Sequence, residues 1–326
     1  MDLGKLLSIC IPTYNRGEYL HECLNSLIPW VKGKGLPIYV VDDCSTDCTA
    51  KVVSDAQEAY GGIHYKRNSQ NLGIYLNTLK VVSSSETEYV WLLGDDDRVI
   101  TDDLDTILEY IEQGFEYIVL NSVAYNSSMD IVKKLKIIKC DEDIEYGRGT
   151  HEKLLCDLST WAYHGFMSSM IARKEILVND DVPYSQKSFT YYKNNWLPLI
   201  MFYRGIVGKR GIFKCKPSVE NRADNRYLKK TFWELSIIGR IKALESLKNN
   251  GYSKTVLRRA IGLGTTDIAY FAVNSRIVNK ELTLCNKYVR ASEIINIRFK
   301  ILTFFIDHIP HMFLGFASEM MEKVKL

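Results

Sequence analysis

Gly94-Asp95-Asp96-Asp97 sets three carboxylates in a row behind a glycine. Adjacent carboxylates repel, and each makes its neighbour harder to ionise. A divalent cation would relieve that repulsion, because Mg2+ takes carboxylate oxygens and shares them readily with a substrate's phosphates. Two other polar clusters carry related chemistry. Pro12-Thr13-Tyr14-Asn15-Arg16 offers an aromatic face for a nucleobase and a guanidinium for a phosphate. Asp42-Asp43 offers carboxylates able to accept the N–H of a uracil-like ring. Lys66-Arg67 adds positive charge. No GxGxxG fingerprint and no GxxxxGK[ST] loop occurs, so a bound diphosphate would have to be met by metal and basic side chains. Taken singly, each acidic cluster is equally what a solvated turn looks like.

The elements in front of these clusters bring them together. Leu6–Ile11, closed by Pro12, Ile38–Val41 and Tyr89–Leu93 are short, largely apolar runs that fit strands covered on both faces, and Ile63–Tyr65 is a further short strand. Tyr19, Leu20, Cys23, Leu24, Leu27 and Ile28 recur at helical spacing, with Asn15 or Gly17 as cap. Thr49–Tyr60 is a second helix, and Asn71-Leu72-Gly73 opens a third that runs to about Ser83. Alternating strands and helices predict an α/β fold with a mostly parallel sheet and right-handed crossovers. The loops after strands one, two and four then share the carboxyl edge of the sheet, where such folds bind ligands. Next come a helix over Asp102–Gln113, a strand over Tyr117–Leu120 and a turn-rich stretch over 121–150. A strand over Phe166–Ala172, a polar loop over 179–195 and a helix over Trp196–Tyr203 follow.

At 326 residues the chain can hold one large domain and a smaller one. Its net charge of +3 hides an asymmetry. Residues 227–326 hold 16 Lys/Arg and 8 Asp/Glu, or +8, which leaves 26 and 31, or −5, for residues 1–226. Two units are therefore expected: a catalytic domain over 1–226 and a mainly helical C-terminal region over 227–326, with helices at Phe232–Lys248, from Ser253 to about Phe271, at Asn279–Tyr288 and over 294–321. The basic region suits an anionic membrane surface or a solvated helical face, and nucleic acid is not an expected partner. Phe299–Phe316 is the most apolar stretch, but Lys300, Asp307, His308, Pro310 and His311 interrupt it, which excludes a spanning helix. It fits a helix lying on a bilayer or one packed on the main domain. Eight cysteines lack paired metal-ligand spacing, so zinc is not expected. The N-terminus carries no signal-peptide pattern, which points to free thiols in a reducing cytoplasm.

Ser8–Arg16, Val40–Asp47, Asn71-Leu72-Gly73 and Gly94–Asp97 together resemble, in order and spacing, the nucleotide-binding half of family 2 glycosyltransferases with the GT-A fold. The likeness covers residues 5–125 closely and 160–210 loosely. Within the family the chain is similar to bacterial O-antigen and capsule enzymes, including abequosyltransferase-like members. The resemblance implies sugar transfer from a nucleotide-diphospho-sugar to a glycan or lipid-linked glycan acceptor. It also implies help from Mg2+ or Mn2+ and a cytoplasmic enzyme at the inner face of the membrane. Tyr14 would stack on the base and Asp43 would bind it, with Pro12, Thr13, Asn15, Arg16, Asp42, Asn71 and Gly73 around the donor. Asp95 would sit near the ribose, and Asp96 with Asp97 would hold the metal, Asp96 being the principal ligand and catalytic group.

Two departures stand out. The usual motif is Asp-x-Asp, and Gly94 stands where the first Asp often is, unless Asp95–Asp97 is itself the motif. Many inverting members carry an acidic general base before an apolar helix. Here Tyr191–Pro198 offers Asn194-Asn195 instead, and asparagine cannot take a proton at neutral pH. His164 and Asp180/Asp181 are the replacements that chemistry allows. The missing base keeps a non-catalytic nucleotide-sugar binder or assembly protein in view. A sugar nucleotidyltransferase is a further alternative, although it would want a glycine-rich basic loop where Pro12–Arg16 stands.

Overall fold

The structure, a computed structural model, describes residues 2–158, 166–178, 197–222 and 240–261. After one helical turn, α1 (Leu3–Leu6), the chain enters β1 (Leu7–Thr13), buried along its whole length. Alternate residues feed two cores. Cys10 joins Val41, Leu79 and Val82 on one face; Ile9 and Ile11 join Leu20, Leu24 and Leu27 on the other. β1 runs through Pro12, which lies opposite Val41. The missing N–H is tolerated there because the pairing of β1 with β4 (Tyr89–Leu92) ends at Cys10, so Pro12 has a neighbour on one side alone.

β2 (Ile38–Asp42), β3 (Ile63–Arg67) and β4 run parallel to β1 in the order β3-β2-β1-β4. The crossovers are α2 (Gly17–Lys32), α3 (Thr49–Ala59) and α4 (Ile74–Ser84). This is the α/β core expected from the alternation. The sheet continues beyond β4 as β9-β6-β10-β5: β5 (Arg98–Val99), β6 (Tyr117–Tyr125), β9 (Met170–Arg173) and β10 (Gly211–Arg222). β7 (Val132–Lys134) pairs with β6, and β8 (Ile144–Tyr146) with β10. β9 lies antiparallel between β4 and β6, and β10 runs parallel to β6. The carboxyl ends of β1, β2, β4, β6 and β10 thus share one edge.

Several elements differ from the expectation. β10 has no period-two signature: Pro217 interrupts it, its register against β6 shifts on both sides of Pro217, and Lys214 is buried in it with Nζ 2.8 Å from Asp103. The turn-rich stretch 121–150 holds the end of β6 and the short strands β7 and β8. Phe166–Ala172 is a 3-10 turn (Met167–Ser169) leading into β9. Asp102–Gln113 divides into a 3-10 turn (Thr101–Asp103) and α5 (Asp105–Glu112). The expectation of free thiols is corrected at one pair: Cys140 and Cys215 form a disulfide across 75 residues. Asn121 Nδ2 donates to both Ile138 O and Cys215 O, 2.8 and 2.9 Å, which draws the two segments together.

The expected helix at 196–203 is Leu197–Gly205, and Arg240–Ser246 and Lys254–Ile261 fall within expected C-terminal helices. Ile241, Leu244 and Leu257 share an apolar cluster with Val90 and Tyr203. His164, Asp180/Asp181, Asn194-Asn195 and Phe299–Phe316 lie outside the described residues. Among the described residues no helix is long and apolar enough to cross a membrane.

Candidate functional site

The loop after β1 is tied to the loop after β2. Asn15, at φ +50, donates its N–H to Ser45 Oγ and accepts from Thr46 N–H on Oδ1, both 2.8 Å. The cap of α2 comes from neither Asn15 nor Gly17 but from Asp47, whose Oδ2 accepts the Gly17 N–H at 2.9 Å. Tyr14 between them keeps 45% of its surface exposed, the state a stacking platform needs before its ligand arrives.

Asp42 and Asp43 point into the protein. Asp42 is fully buried; Oδ1 accepts the Ser45 N–H and Oδ2 the Tyr65 hydroxyl, with Arg67 Nε 3.5 Å away. Asp43 holds the loop before α4: Oδ1 accepts from Asn68 Nδ2 and Leu72 N–H, and Oδ2 from Gly73 N–H, each 2.8 Å. Gly73, at φ +83, takes the left-handed turn that puts its N–H there, and Asn71 Oδ1 accepts the same N–H at 3.0 Å. Buried Asn77 reaches from α4 to Val41 O (2.9 Å) and Thr13 O (3.4 Å), fastening the ends of β1 and β2. An asparagine amid the apolar positions Tyr75, Leu79, Val81 and Val82 was the available sequence signal for this role.

The three aspartates meet different fates. Arg16 Nη1 bridges Asp95 Oδ1 (3.0 Å) and Asp96 Oδ2 (3.1 Å). Asp95 is buried, whereas the Asp96 carboxyl reaches solvent with 16% of its side chain exposed. Asp97 turns the other way: Oδ2 accepts the Ser168 hydroxyl at 2.5 Å, and Oδ1 accepts Asn221 Nδ2 (3.2 Å) and Arg222 N–H (3.1 Å). Burial, then the neighbouring Asp96 carboxylate, pushes Asp95 and Asp97 upward in pKa. Arg16 opposes this at Asp95, and Ser168 with Arg222 N–H opposes it at Asp97.

Gly94 sits where a side chain would be crowded. Its N–H donates to Ser168 Oγ at 2.8 Å, and a Cβ there would lie 3.1 Å from that oxygen, 3.2 Å from Asp97 Oδ2 and 3.3 Å from Asp96 Oδ1. An aspartate at this position would force a further carboxylate among these oxygens. Arg222, which nothing in the sequence singled out, closes the corner. Its Nε donates to Asp96 O (3.1 Å), Nη1 to Ser127 O (2.6 Å) and Nη2 to Glu22 Oε2 (2.7 Å), while its guanidinium lies 4.6 Å from the centre of the Tyr19 ring.

A divalent cation would find the Asp96 carboxyl, which reaches solvent beside buried Asp95 and Asp97. Among the described residues no cluster of three or more His, Cys, Asp or Glu could hold a metal by itself. The donor set therefore fits an ion that arrives sharing phosphate oxygens with a ligand, the way Mg2+ is commonly held by one or two carboxylates.

The architecture belongs to a known class. The S. aureus TarS fragment 1–349 in complex with UDP-GlcNAc matches 98% of this chain and 92% of its own, with a TM-score of 0.66 and 16% identity. Identity that low establishes the fold, which is GT-A. Residues 8–177 match the family model described as Glycosyl transferase family 2, and the chain belongs to that family. It is 28% identical over 268 residues, 78% of either chain, to abequosyltransferase RfbV of Salmonella typhimurium. It is 31% identical over 113 residues, 34% of this chain and 36% of the relative, to GalNAc(5)-diNAcBac-PP-undecaprenol beta-1,3-glucosyltransferase of Campylobacter jejuni. The protein is a glycosyltransferase with relatives in bacterial polysaccharide synthesis.

Proposed function

We propose that the protein transfers a sugar from a nucleotide-diphospho-sugar to a lipid-linked glycan acceptor in bacterial surface polysaccharide synthesis, assisted by Mg2+ or Mn2+. The observation that carries this is the Arg16–Asp95–Asp96 corner, set beside exposed Tyr14 at the carboxyl edge of the sheet. Tyr14 stacks on the base. Asp43 and the Asn71–Gly73 turn border the base and ribose, with Pro12, Thr13 and Asn15 shaping the floor. Asp95 faces the ribose, Asp96 holds the metal, and Arg16 offers its guanidinium to the diphosphate. Asp42 and Asp97 keep the two loops in place. A bound divalent ion draws charge from the diphosphate and eases its departure.

The names of two relatives support the substrates: one was solved with UDP-GlcNAc, the other acts on a PP-undecaprenol glycan. A lipid-linked acceptor and the +8 region over 227–326 together suit work at the cytoplasmic face of an anionic membrane.

The test is consumption of a panel of UDP-, GDP-, CDP- and dTDP-sugars, with and without EDTA, and product anomericity by NMR. One donor class is expected to turn over with metal alone. Asp96→Asn is expected to lower kcat/KM on the order of 100-fold, the scale of one lost transition-state charge contact. Turnover unchanged in EDTA and in Asp96→Asn would remove the metal from the mechanism. Tight nucleotide binding with no donor consumed would make the protein a binder.

A further inference from the structure

Ile131-Val132-Lys133-Lys134-Leu135-Lys136-Ile137-Ile138-Lys139 holds four lysines, five aliphatic residues and no acid, within the net-acidic part of the chain. It forms the returning arm of a β-hairpin. β6 runs out to Tyr125, a turn over Asn126–Asp130 reverses the chain, and β7 comes back with Val132 opposite Tyr125 and Lys134 opposite Ala124. Ile138 turns into the core, with Ile137 packed against it. The outer part does the reverse. Leu135 is 74% exposed, Ile131 56% and Val132 42%, beside exposed Lys133, Lys134 and Lys139. Among the described residues β7 pairs with β6 alone.

The hairpin is fastened to the site. Its turn carbonyls at Ser127 and Met129 accept hydrogen bonds from Arg222 Nη1 (2.6 Å) and Arg98 Nη2 (3.2 Å), and the same Arg222 guanidinium holds Asp96 O. It therefore stands on the edge of the sheet that carries the aspartates.

We propose that this hairpin docks on an anionic lipid bilayer. Ile131, Val132 and Leu135 enter the interfacial layer while Lys133, Lys134 and Lys139 meet lipid phosphates. The carboxyl edge of the sheet then faces the membrane that carries the acceptor; this orientation rests on the lipid-linked acceptor proposed above, and the docking does not. Lysines alone would suit any polyanion or would simply guard an edge strand against pairing. Three large aliphatic side chains exposed to water along one short arm have a use where a surface is both charged and apolar. A second copy of the chain fits poorly, because it would bring like charges together.

The full-length protein is sedimented with vesicles of phosphatidylcholine, with and without phosphatidylglycerol, in the absence of donor and acceptor. Lys133→Glu/Lys134→Glu is expected to weaken partition onto the anionic vesicles roughly tenfold or more, since each lysine near such a surface is worth about a fivefold factor. Ile131→Ser/Val132→Ser/Leu135→Ser is expected to weaken it comparably, with donor turnover in solution unchanged. In Leu135→Trp, the emission added by the new indole is expected to shift to the blue with anionic vesicles and to be quenched by brominated lipid. Wild-type partition in both multiple variants, or an indole that stays in water, overturns the proposal. Loss of self-association with partition unchanged overturns it in favour of a second copy. The vesicles hold no acceptor, so partition that depends on the hairpin stands even if no lipid-linked acceptor is ever glycosylated.

Discussion

Asp96 and Asp97 are neighbours in the chain with opposite surroundings. Asp97 is buried, with both oxygens accepting hydrogen bonds from Ser168, Asn221 and Arg222, while the Asp96 carboxyl beside Arg16 reaches solvent. The functional weight proposed for Asp96 follows from that difference. Tyr14 is a second case, since exposure leaves it with little to contribute to stability. Tyr14→Ala is expected to raise the donor KM about tenfold, the scale of one lost base–aromatic stack, with Tm unchanged; steady-state kinetics and thermal melts check this. Glu116 offers a residue-level test of pH. Burial works to raise its pKa, but the Arg210 N–H (2.9 Å), Lys209 (3.2 Å) and Arg148 (3.4 Å) outweigh it and hold the carboxyl below its usual value. A depressed carboxylate stabilises the fold above its unfolded pKa, and the contribution is lost as pH falls through the folded one. Glu116→Gln is therefore expected to lower stability by about 1–2 kcal/mol at pH 7, a deficit that shrinks below about pH 4.5. Melts across pH would show it, and a deficit constant with pH would refute it.

At the scale of elements, Ser168 joins parts that the sequence leaves apart. Its hydroxyl takes the Gly94 N–H and gives its proton to Asp97, while its carbonyl accepts Trp91 Nε1 at 2.8 Å. The turn before β9 thus locks the end of β4. Ser168→Ala leaves a buried N–H and a buried carboxylate each short of a partner. It is expected to cost about 2 kcal/mol of stability and to lower kcat more than it raises KM, by loosening the Asp95–Asp96 turn. Denaturant melts and kinetics on the same preparation separate the two effects. The parallel strands β1, β2 and β4 were legible as local, largely apolar runs, and β3 as a short segment between two helical patterns. β10 was not, because Pro217, two register shifts and buried Lys214 erase any alternation. Its partners across 111 and 125 residues, Asp103 for Lys214 and Asp97 for Arg222, supply what composition withheld.

For the whole molecule, the Cys140–Cys215 bond closes a loop with a sequence separation of 75 residues. Cross-links over loops of that length restrict the unfolded chain, and their removal costs about 2–4 kcal/mol. A reducing agent is expected to lower Tm by several degrees, an effect absent in Cys140→Ser/Cys215→Ser; equal melts in the two redox states would count against the bond in solution. By itself the sequence determined the α/β class, the four parallel strands β1 to β4 with their crossover helices, and the meeting of three polar loops on one edge. These follow from local periodicity and from the constraint that parallel strands need crossovers. Only the tertiary structure decided which aspartate of Asp95–Asp97 reaches solvent and why a side chain at Gly94 would be crowded. It also decided that a basic, aliphatic hairpin stands beside them. Those outcomes depend on contacts from β9, β10 and the β6–β7 turn, and no local pattern encodes which distant oxygen or guanidinium a side chain will meet.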